Sequence, residues 1–385
     1  MRVLLLTGKG GVGKTSLALA TGLRAASHGH RAFVLSTDPA HSLGDALGHR
    51  IGARPVRLKE GVVVQEVAAL AELERSWAPI QGFLRRLLRE QADALIADEL
   101  LVFPGLEELV ALRAIREVEA TGDFDLCVVD CAPTGSTLRM LRFPEVLRLF
   151  MENFFELERR GARLLRPLLR RLHAPDVVPE EEVFDAVERL YGDVDAVRQI
   201  LLDGERTTAR LVVNAARVVV EETRRSFAYL SLYGVATDAV LVNRVLPQQA
   251  AEGWFARWAE RERSELERIE ASFPMPRLHV PLYSREPRGV AALARLGADL
   301  YGEQDPAALL CRGRPIRLLR HMGRTRLELD LPGTHKEELE VRARGGDLLV
   351  RVRDATRCIS LPASLVGRPV EQVHYREGVL VVDFG

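Results

Sequence analysis

Lysine is almost missing from this chain. Of its 54 lysine and arginine residues, only Lys9, Lys14, Lys59 and Lys336 are lysine. A compact ammonium and a planar guanidinium are not interchangeable, so the two lysines kept in one glycine-rich stretch mark a place that needs point charges. Net charge is missing too: 54 basic residues balance 54 acidic ones, and nothing global favours nucleic acid or an anionic membrane. Cysteine is scarce. Cys127, Cys131, Cys311 and Cys358 form no C-x-x-C pair, which argues against a disulfide framework and a sequence-local zinc clamp, so no zinc is expected. Cys127 and Cys131 share one face of a strand by their even spacing and read as small buried hydrophobes. No apolar run is long enough to cross a bilayer, so no stable membrane insertion is expected. The glycine-rich stretch follows so soon after Met1 that no signal peptide fits before it, and a cytoplasmic location is expected. What remains is ordinary for a globular chain: 385 residues, 47% hydrophobic and 28% charged, enough for two domains.

The chain is organised around Gly8-Lys9-Gly10-Gly11-Val12-Gly13-Lys14-Thr15, directly behind the apolar run Arg2 to Thr7. This reads as strand, phosphate loop, helix. The glycines let successive backbone N–H groups turn inward around an anion, Lys14 reaches the outer phosphates, and Thr15 offers a hydroxyl to Mg²⁺. From Ser16 the sequence is rich in Ala and Leu as far as Ser27, so the phosphates would sit on a helix N-terminus. Lys9 is the unusual member, because Lys14 already supplies the phosphate contact. It is either a solvated loop charge or a charge delivered to phosphates across a dimer interface.

Two further strands end on carboxylates, where an open α/β sheet holds ligands. Ala32 to Thr37 closes on Asp38-Pro39-Ala40-His41-Ser42, with Asp45 seven residues beyond Asp38. Asp38 fits outer-sphere contact with Mg²⁺, and Asp45 fits orienting or deprotonating an attacking water; either could instead cap the following helix. Phe124 to Asp130 closes on Cys131-Ala132-Pro133-Thr134-Gly135, where Asp130 repeats the pattern and Gly135 frees the loop to respond to phosphate. Apolar residues at helical spacing fill two insertions, about 68–119, broken at Pro104-Gly105, and about 144–204. Later strands are read at Ala209 to Asn214, at Ala239 to Arg244 and at Leu278 to Pro281, with helices between and after them. Asn243, at a strand end, suits either an adenine edge or a turn cap. From Ile316 the texture becomes period-two alternation with turns at Pro332-Gly333, Gly345-Gly346 and Glu377-Gly378, which is a small all-β sandwich. The fold class is therefore α/β, a mostly parallel, doubly wound P-loop sheet over residues 1–310 with helical insertions, followed by a β-sandwich over 316–385.

Taken together, Gly8 to Thr15, Asp38 to Ser42, Pro104 to Glu108, Asp130 to Arg139 and Val242-Asn243-Arg244 resemble the arsenical-pump ATPase family, which also contains the ATPases that target tail-anchored membrane proteins. The resemblance implies a deviant Walker A ATPase of the SIMIBI type that works as a nucleotide-closed homodimer. It implies nucleotide binding by Gly8 to Ser16 and Asn243, with Lys9 reaching the other subunit's ATP and Asn243 on the adenine. Asp45 would be the water-positioning acid, Thr15 a direct Mg²⁺ ligand, and Asp38 and Asp130 outer-sphere partners. The switch loops would be Asp38, Pro39, His41, Ser42 and Asp45, and Asp130, Pro133, Thr134 and Gly135. The chain departs from the family in three places: it lacks the C-x-x-C that bridges zinc in targeting members, it lacks the metalloid cysteine cluster, and Ala215-Ala216 stands where Pro-Glu is common. Leu329-Asp330-Leu331-Pro332-Gly333 and His374 to Leu380 resemble an α-crystallin, or small heat-shock protein, domain. The expected function is ATP hydrolysis coupled to capture and release of an apolar client helix, a targeting or chaperone-like role; the alternative is the arsenite-stimulated ATPase of a metalloid efflux pump.

Overall fold

The computed structural model describes residues 1–38, 42–58, 61–67, 106–132, 189, 192, 195–251, 253–321, 324–344, 346–362 and 364–385. Pro39, Ala40, His41, Pro133, Thr134 and Gly135, and most of both helical insertions, lie outside the described residues. The chain divides into two compact units, one of residues Met1–Val67, Glu117–Leu138 and Ile200–Gly385, the other of Ala68–Arg116 and Arg139–Gln199. In the second unit the structure describes helical residues at 106–116, 189, 192 and 195–199. The first unit carries both the phosphate loop and the β-sandwich.

Its sheet has eight strands: β1 (Arg2–Thr7), β2 (Ala32–Ser36), β3 (Val56–Arg57), β4 (Val63–Glu66), β5 (Leu126–Asp130), β6 (Thr207–Val213), β7 (Thr237–Val245) and β8 (Arg277–Pro281). Their order is β3-β4-β2-β5-β1-β6-β7-β8, parallel except for the short β3–β4 pair. The helices of this unit are α1 (Lys14–Ser27), α2 (Ser42–Leu47), α4 (Arg217–Tyr233), α5 (Ala256–Ser272) and α6 (Gly289–Tyr301), and α3 (Leu106–Thr121) runs from the second unit into the first. Continuous apolar runs such as Val3 to Leu6 and Val128–Val129 are fully buried, as expected of strands covered on both sides. From β1 the chain goes out to β2 and returns through β5, then continues through β6 on the other flank, so β1 lies at the switch point where such sheets bind ligands. The registers Leu6↔Asp130 and Ser36↔Asp130 put the carboxylate of β5 beside the ends of both neighbouring strands.

The opposite end of the sheet is tied by charge. Arg210 and Asp238 are each wholly buried; Arg210 Nε donates to Asp238 Oδ1 at 3.1 Å and Nη2 to Oδ2 at 3.2 Å. Its remaining donors reach the Tyr301 hydroxyl and the Ala308 carbonyl, each at 3.1 Å, and Arg2 donates to the same carboxylate at 3.2 Å. Residues 302–315, which composition suggests as a linker, therefore form a strap: Asp305 holds His30 at 3.0 Å and the Leu310 N–H reaches Asp238 at 3.4 Å. A buried guanidinium requires acceptors, and the strap supplies one.

The tail is a two-layer antiparallel sandwich. One sheet, in the order β14-β15-β10-β9, contains β9 (Ile316–His321), β10 (Arg324–Asp330), β14 (Val370–Arg376) and β15 (Val379–Phe384); the other is β11 (Leu339–Arg344), β12 (Asp347–Val352) and β13 (Ala355–Ser360). Leu327, Leu329, Leu348, Val350, Val352, Leu380, Val382 and Phe384 fill it. Two members of the same core come from α4, Tyr229 and Leu232. Arg357 donates to the Leu232 carbonyl and the Tyr229 hydroxyl to Asp354, so the sandwich is built onto the end of that helix. Deleting residues 314–385 should uncover both side chains and destabilise the remainder by about 3–6 kcal/mol, at about 1.5–3 kcal/mol for each large side chain buried. ATP binding should persist, because every candidate ligand precedes the sandwich. Thermal melting and nucleotide titration of the shortened chain check both, and an unchanged melting temperature would show that α4 does not depend on the sandwich.

Candidate functional site

The loop after β1 is shaped by steric necessity at two glycines. A Cβ at Gly8 would run into the Val212 carbonyl oxygen of β6, backbone that cannot move aside. Gly13 has φ +96°, and a Cβ there would meet the Asn243 amide nitrogen. That nitrogen donates to the Val12 carbonyl at 2.8 Å. Asn243, 7% exposed, thus braces the loop from β7, whichever of its two sequence readings also holds. Arg244 next to it has φ 60°, a left-handed conformation unusual for a residue with a side chain, and places Nη1 3.1 Å from the Gly11 carbonyl.

The two loop lysines differ. Lys14 is buried, with Nζ donating to the Lys9 carbonyl at 3.3 Å. Lys9 is partly exposed and pairs with Glu222 of α4, Nζ to Oε2 at 3.2 Å. Thr15 is the centre of the hydroxyl cluster: its Oγ1 donates to Asp130 Oδ2 at 2.7 Å and lies 2.8 Å from Ser42 Oγ. Asp130 is wholly buried and also accepts from Ser36 Oγ at 3.2 Å. Burial pushes its carboxyl up to about 6, against the opposing pull of Thr15 and Lys14. Its other oxygen, Oδ1, is buried with no hydrogen-bond partner among the described residues. An anionic oxygen buried without a donor is costly, so this atom fits a cation or its bound water. With the Thr15 and Ser42 hydroxyls beside it, the donor set is all oxygen, as Mg²⁺ requires.

Asp38 follows β2 and its N–H reaches Ser36 Oγ at 3.3 Å. Asp45 is exposed in the first turn of α2. Sequence reasoning missed the group that fixes this turn, the buried Glu66 at the end of β4, whose Oε1 accepts the Gly44 N–H at 3.2 Å. β4 is too short to stand out, and a single glutamate carries no spacing signal. Glu222 was missed for the same reason. Structure brings together Thr15, Ser36, Ser42 and Asp130; it places Asn243 against the loop from the other flank and leaves Asp45 facing solvent.

The buried cysteines behave as the sequence suggests. Cys127 and Cys131 are buried, and burial pushes the Cys127 thiol up to about 12. Among the described residues, no helix is long and apolar enough to cross a membrane.

Comparison with known proteins agrees with this geometry. Residues 1–302 match the family described as anion-transporting ATPase, and residues 322–384 match the HSP20-like domain found in ArsA. The chain is 35% identical over 391 residues to a protein of Prosthecochloris vibrioformis provisionally named an arsenical pump-driving ATPase, covering 100% of this chain and 96% of that one. It is 27% identical to "ATPase get3" of Schizosaccharomyces japonicus, over 77% of this chain and 91% of the relative. It is 25% identical to "ATPase ASNA1 homolog 1" of Paramecium tetraurelia, over 76% and 90%. With a phosphate loop braced on both flanks and a match that runs from its first strand through α6, the chain belongs to the anion-transporting, ArsA-type ATPase family and carries that family's HSP20-like domain at its end.

Proposed function

We propose that this ATPase works as a Mg²⁺-dependent homodimer that closes on ATP, and that opening and closing captures and releases an apolar helical client. The observation that carries the hydrolytic part is the buried Oδ1 of Asp130, without a hydrogen-bond partner among the described residues and beside the Thr15 hydroxyl. Thr15 would hold Mg²⁺ directly, with Asp38 and Asp130 taking its waters. When bound, the ion would neutralise charge on the outer phosphates. Lys14 binds those phosphates within the subunit, Lys9 reaches them from the other subunit, and Asp45 orients and deprotonates the attacking water.

The client reading is favoured over metalloid binding by the state of the cysteines. Arsenite binding needs soft thiolates, neither helical insertion contains a cysteine, and Cys127 and Cys131 are buried. The second reading, an arsenite-stimulated pump subunit, is favoured by the name of the Prosthecochloris relative, whose match includes the tail. Arsenite stimulation of turnover, set beside nucleotide-dependent capture of a hydrophobic helical peptide, separates the two. Stimulation without capture in any nucleotide state would put the pump reading first.

Lys14→Ala should abolish ATP binding, and Asp45→Asn should bind ATP but turn over about a hundredfold more slowly, the loss expected for a general base. A trans lysine has a distinctive signature. In an equimolar mixture of Lys9→Ala and Asp45→Asn chains, half the dimers are mixed and each has one intact site, so about a quarter of the parental activity returns. No recovery, from two inactive parents that form mixed dimers, would put Lys9 in its own subunit's site.

A further inference from the structure

In the single chain Lys9 is turned away from the role just assigned to it. Its ammonium lies 3.2 Å from Glu222 Oε2, the two side chains being 36% and 26% exposed. Its own carbonyl is engaged by Lys14, so the loop holds the lysine at its base while α4 holds it at its tip. We propose that Glu222 is a positioning residue that keeps Lys9 withdrawn, so that each subunit must break this ion pair before its lysine can cross to the other subunit's nucleotide. The proposal rests on the trans reading of Lys9 above.

Two features of α4 make the pair a restraint rather than a contact that moves with the lysine. The helix is fixed at its far end, where Tyr229 and Leu232 belong to the core of the sandwich and Arg357 donates to the Leu232 carbonyl. Near Glu222 it is held again, since Val220 and Thr223 on either side of it are buried. Glu222 therefore cannot follow Lys9 across a dimer interface without moving the helix.

The size of the effect depends on the exposure of the pair. A partly exposed ion pair shifts an equilibrium by about threefold. Two pairs break per dimer, so the effects multiply to about tenfold in dimer closure. Glu222→Gln removes the charge, keeps the shape and is a good helix former.

The test measures specific ATPase activity against protein concentration at saturating Mg-ATP for the full chain, Glu222→Gln, Lys9→Ala and the double variant, with sedimentation in a non-hydrolysable ATP analogue. Glu222→Gln should reach half-maximal activity at about tenfold lower protein concentration with the same maximal turnover, and raising salt should move the parent toward it. A general structural role would shift the melting temperature and would act equally in a Lys9→Ala background. We expect neither: the substitution should leave ATP-dependent association unchanged once Lys9 is alanine. A parental concentration dependence for Glu222→Gln, beside an inactive Lys9→Ala, would overturn the proposal and leave the trans reading standing. A shift that persists without Lys9 would overturn it as well. Full activity of Lys9→Ala would remove the trans reading and this proposal together.

Discussion

Asp238→Ala should lower stability by about 3–5 kcal/mol, the usual cost of stripping one partner from a buried ion pair. Asp238 accepts from Arg210 through both oxygens, and from Arg2 and the Leu310 N–H. Without it, a wholly buried guanidinium keeps only the Tyr301 hydroxyl and the Ala308 carbonyl. Arg210 cannot escape by losing its proton. A guanidinium stays charged at any working pH, with or without Asp238 beside it. Arg2 adds to the loss, because its Nε and Nη1 are already buried without partners among the described residues. The double change Asp238→Leu with Arg210→Met should recover most of the stability, since an apolar pair of similar volume leaves no charge behind. Denaturant midpoints of the full chain decide, and a single-variant loss under about 1 kcal/mol would show that water reaches Arg210.

Asp130→Asn should act in opposite directions on stability and on nucleotide binding. The Asp130 carboxyl titrates at about 6 in the folded chain, raised by burial from 3.8. The folded state therefore holds this proton more tightly than the unfolded state does. Its contribution to stability is fully present below about pH 4 and is lost as pH rises through 6. Above that range an ionised carboxylate stays buried, costing on the order of 2–3 kcal/mol by the standard conversion of pKa shift to free energy. The asparagine variant avoids this cost. Without nucleotide it should be more stable than the parent near pH 7.5 and about equally stable near pH 4. Mg-ATP should reverse the order at neutral pH, since the carboxylate that destabilises the unliganded protein is the one proposed to take a water of the ion. Parental Mg-ATP binding should tighten from pH 5.5 to 7.5 with proton release, and the variant should lose that dependence. Equal pH–stability profiles for the two proteins would contradict the buried-carboxylate account.

The sequence is most readable where spacing itself encodes geometry. Gly8 to Thr15 announces its turn because the glycines stand where a side chain would strike Val212 or Asn243. Apolar runs ending in Asp38 and Asp130 mark strands that point carboxylates at one edge. The alternation from Ile316 onward gives the sandwich, although β14 has mostly exposed residues and offers little pattern to read. What escapes the sequence is pairing between distant groups. Arg210 and Asp238 meet because β6 lies against β7, and Glu66 reaches Gly44 because β4 lies beside β2. Glu222 looks like any helix-surface glutamate until the phosphate loop is laid against α4. Tyr229 and Leu232 fit the apolar face of a helix equally well whether that face packs on its own sheet or, as here, on a second core.

The sharing of α4 between the two cores makes the helix a lever with its fulcrum in the sandwich. Glu222 stands ten residues from Leu232, about 15 Å along the axis at 1.5 Å per residue. A tilt of about 5° at the fulcrum would carry the carboxylate about 1.3 Å sideways over that arm. Directed away from Lys9, that displacement stretches a 3.2 Å contact to about 4.5 Å, beyond bonding distance. The buried Val220 and Thr223 resist such a tilt, so only a disturbance of the β-domain strong enough to loosen them would turn, at the far end of one helix, a tethered lysine into a released one.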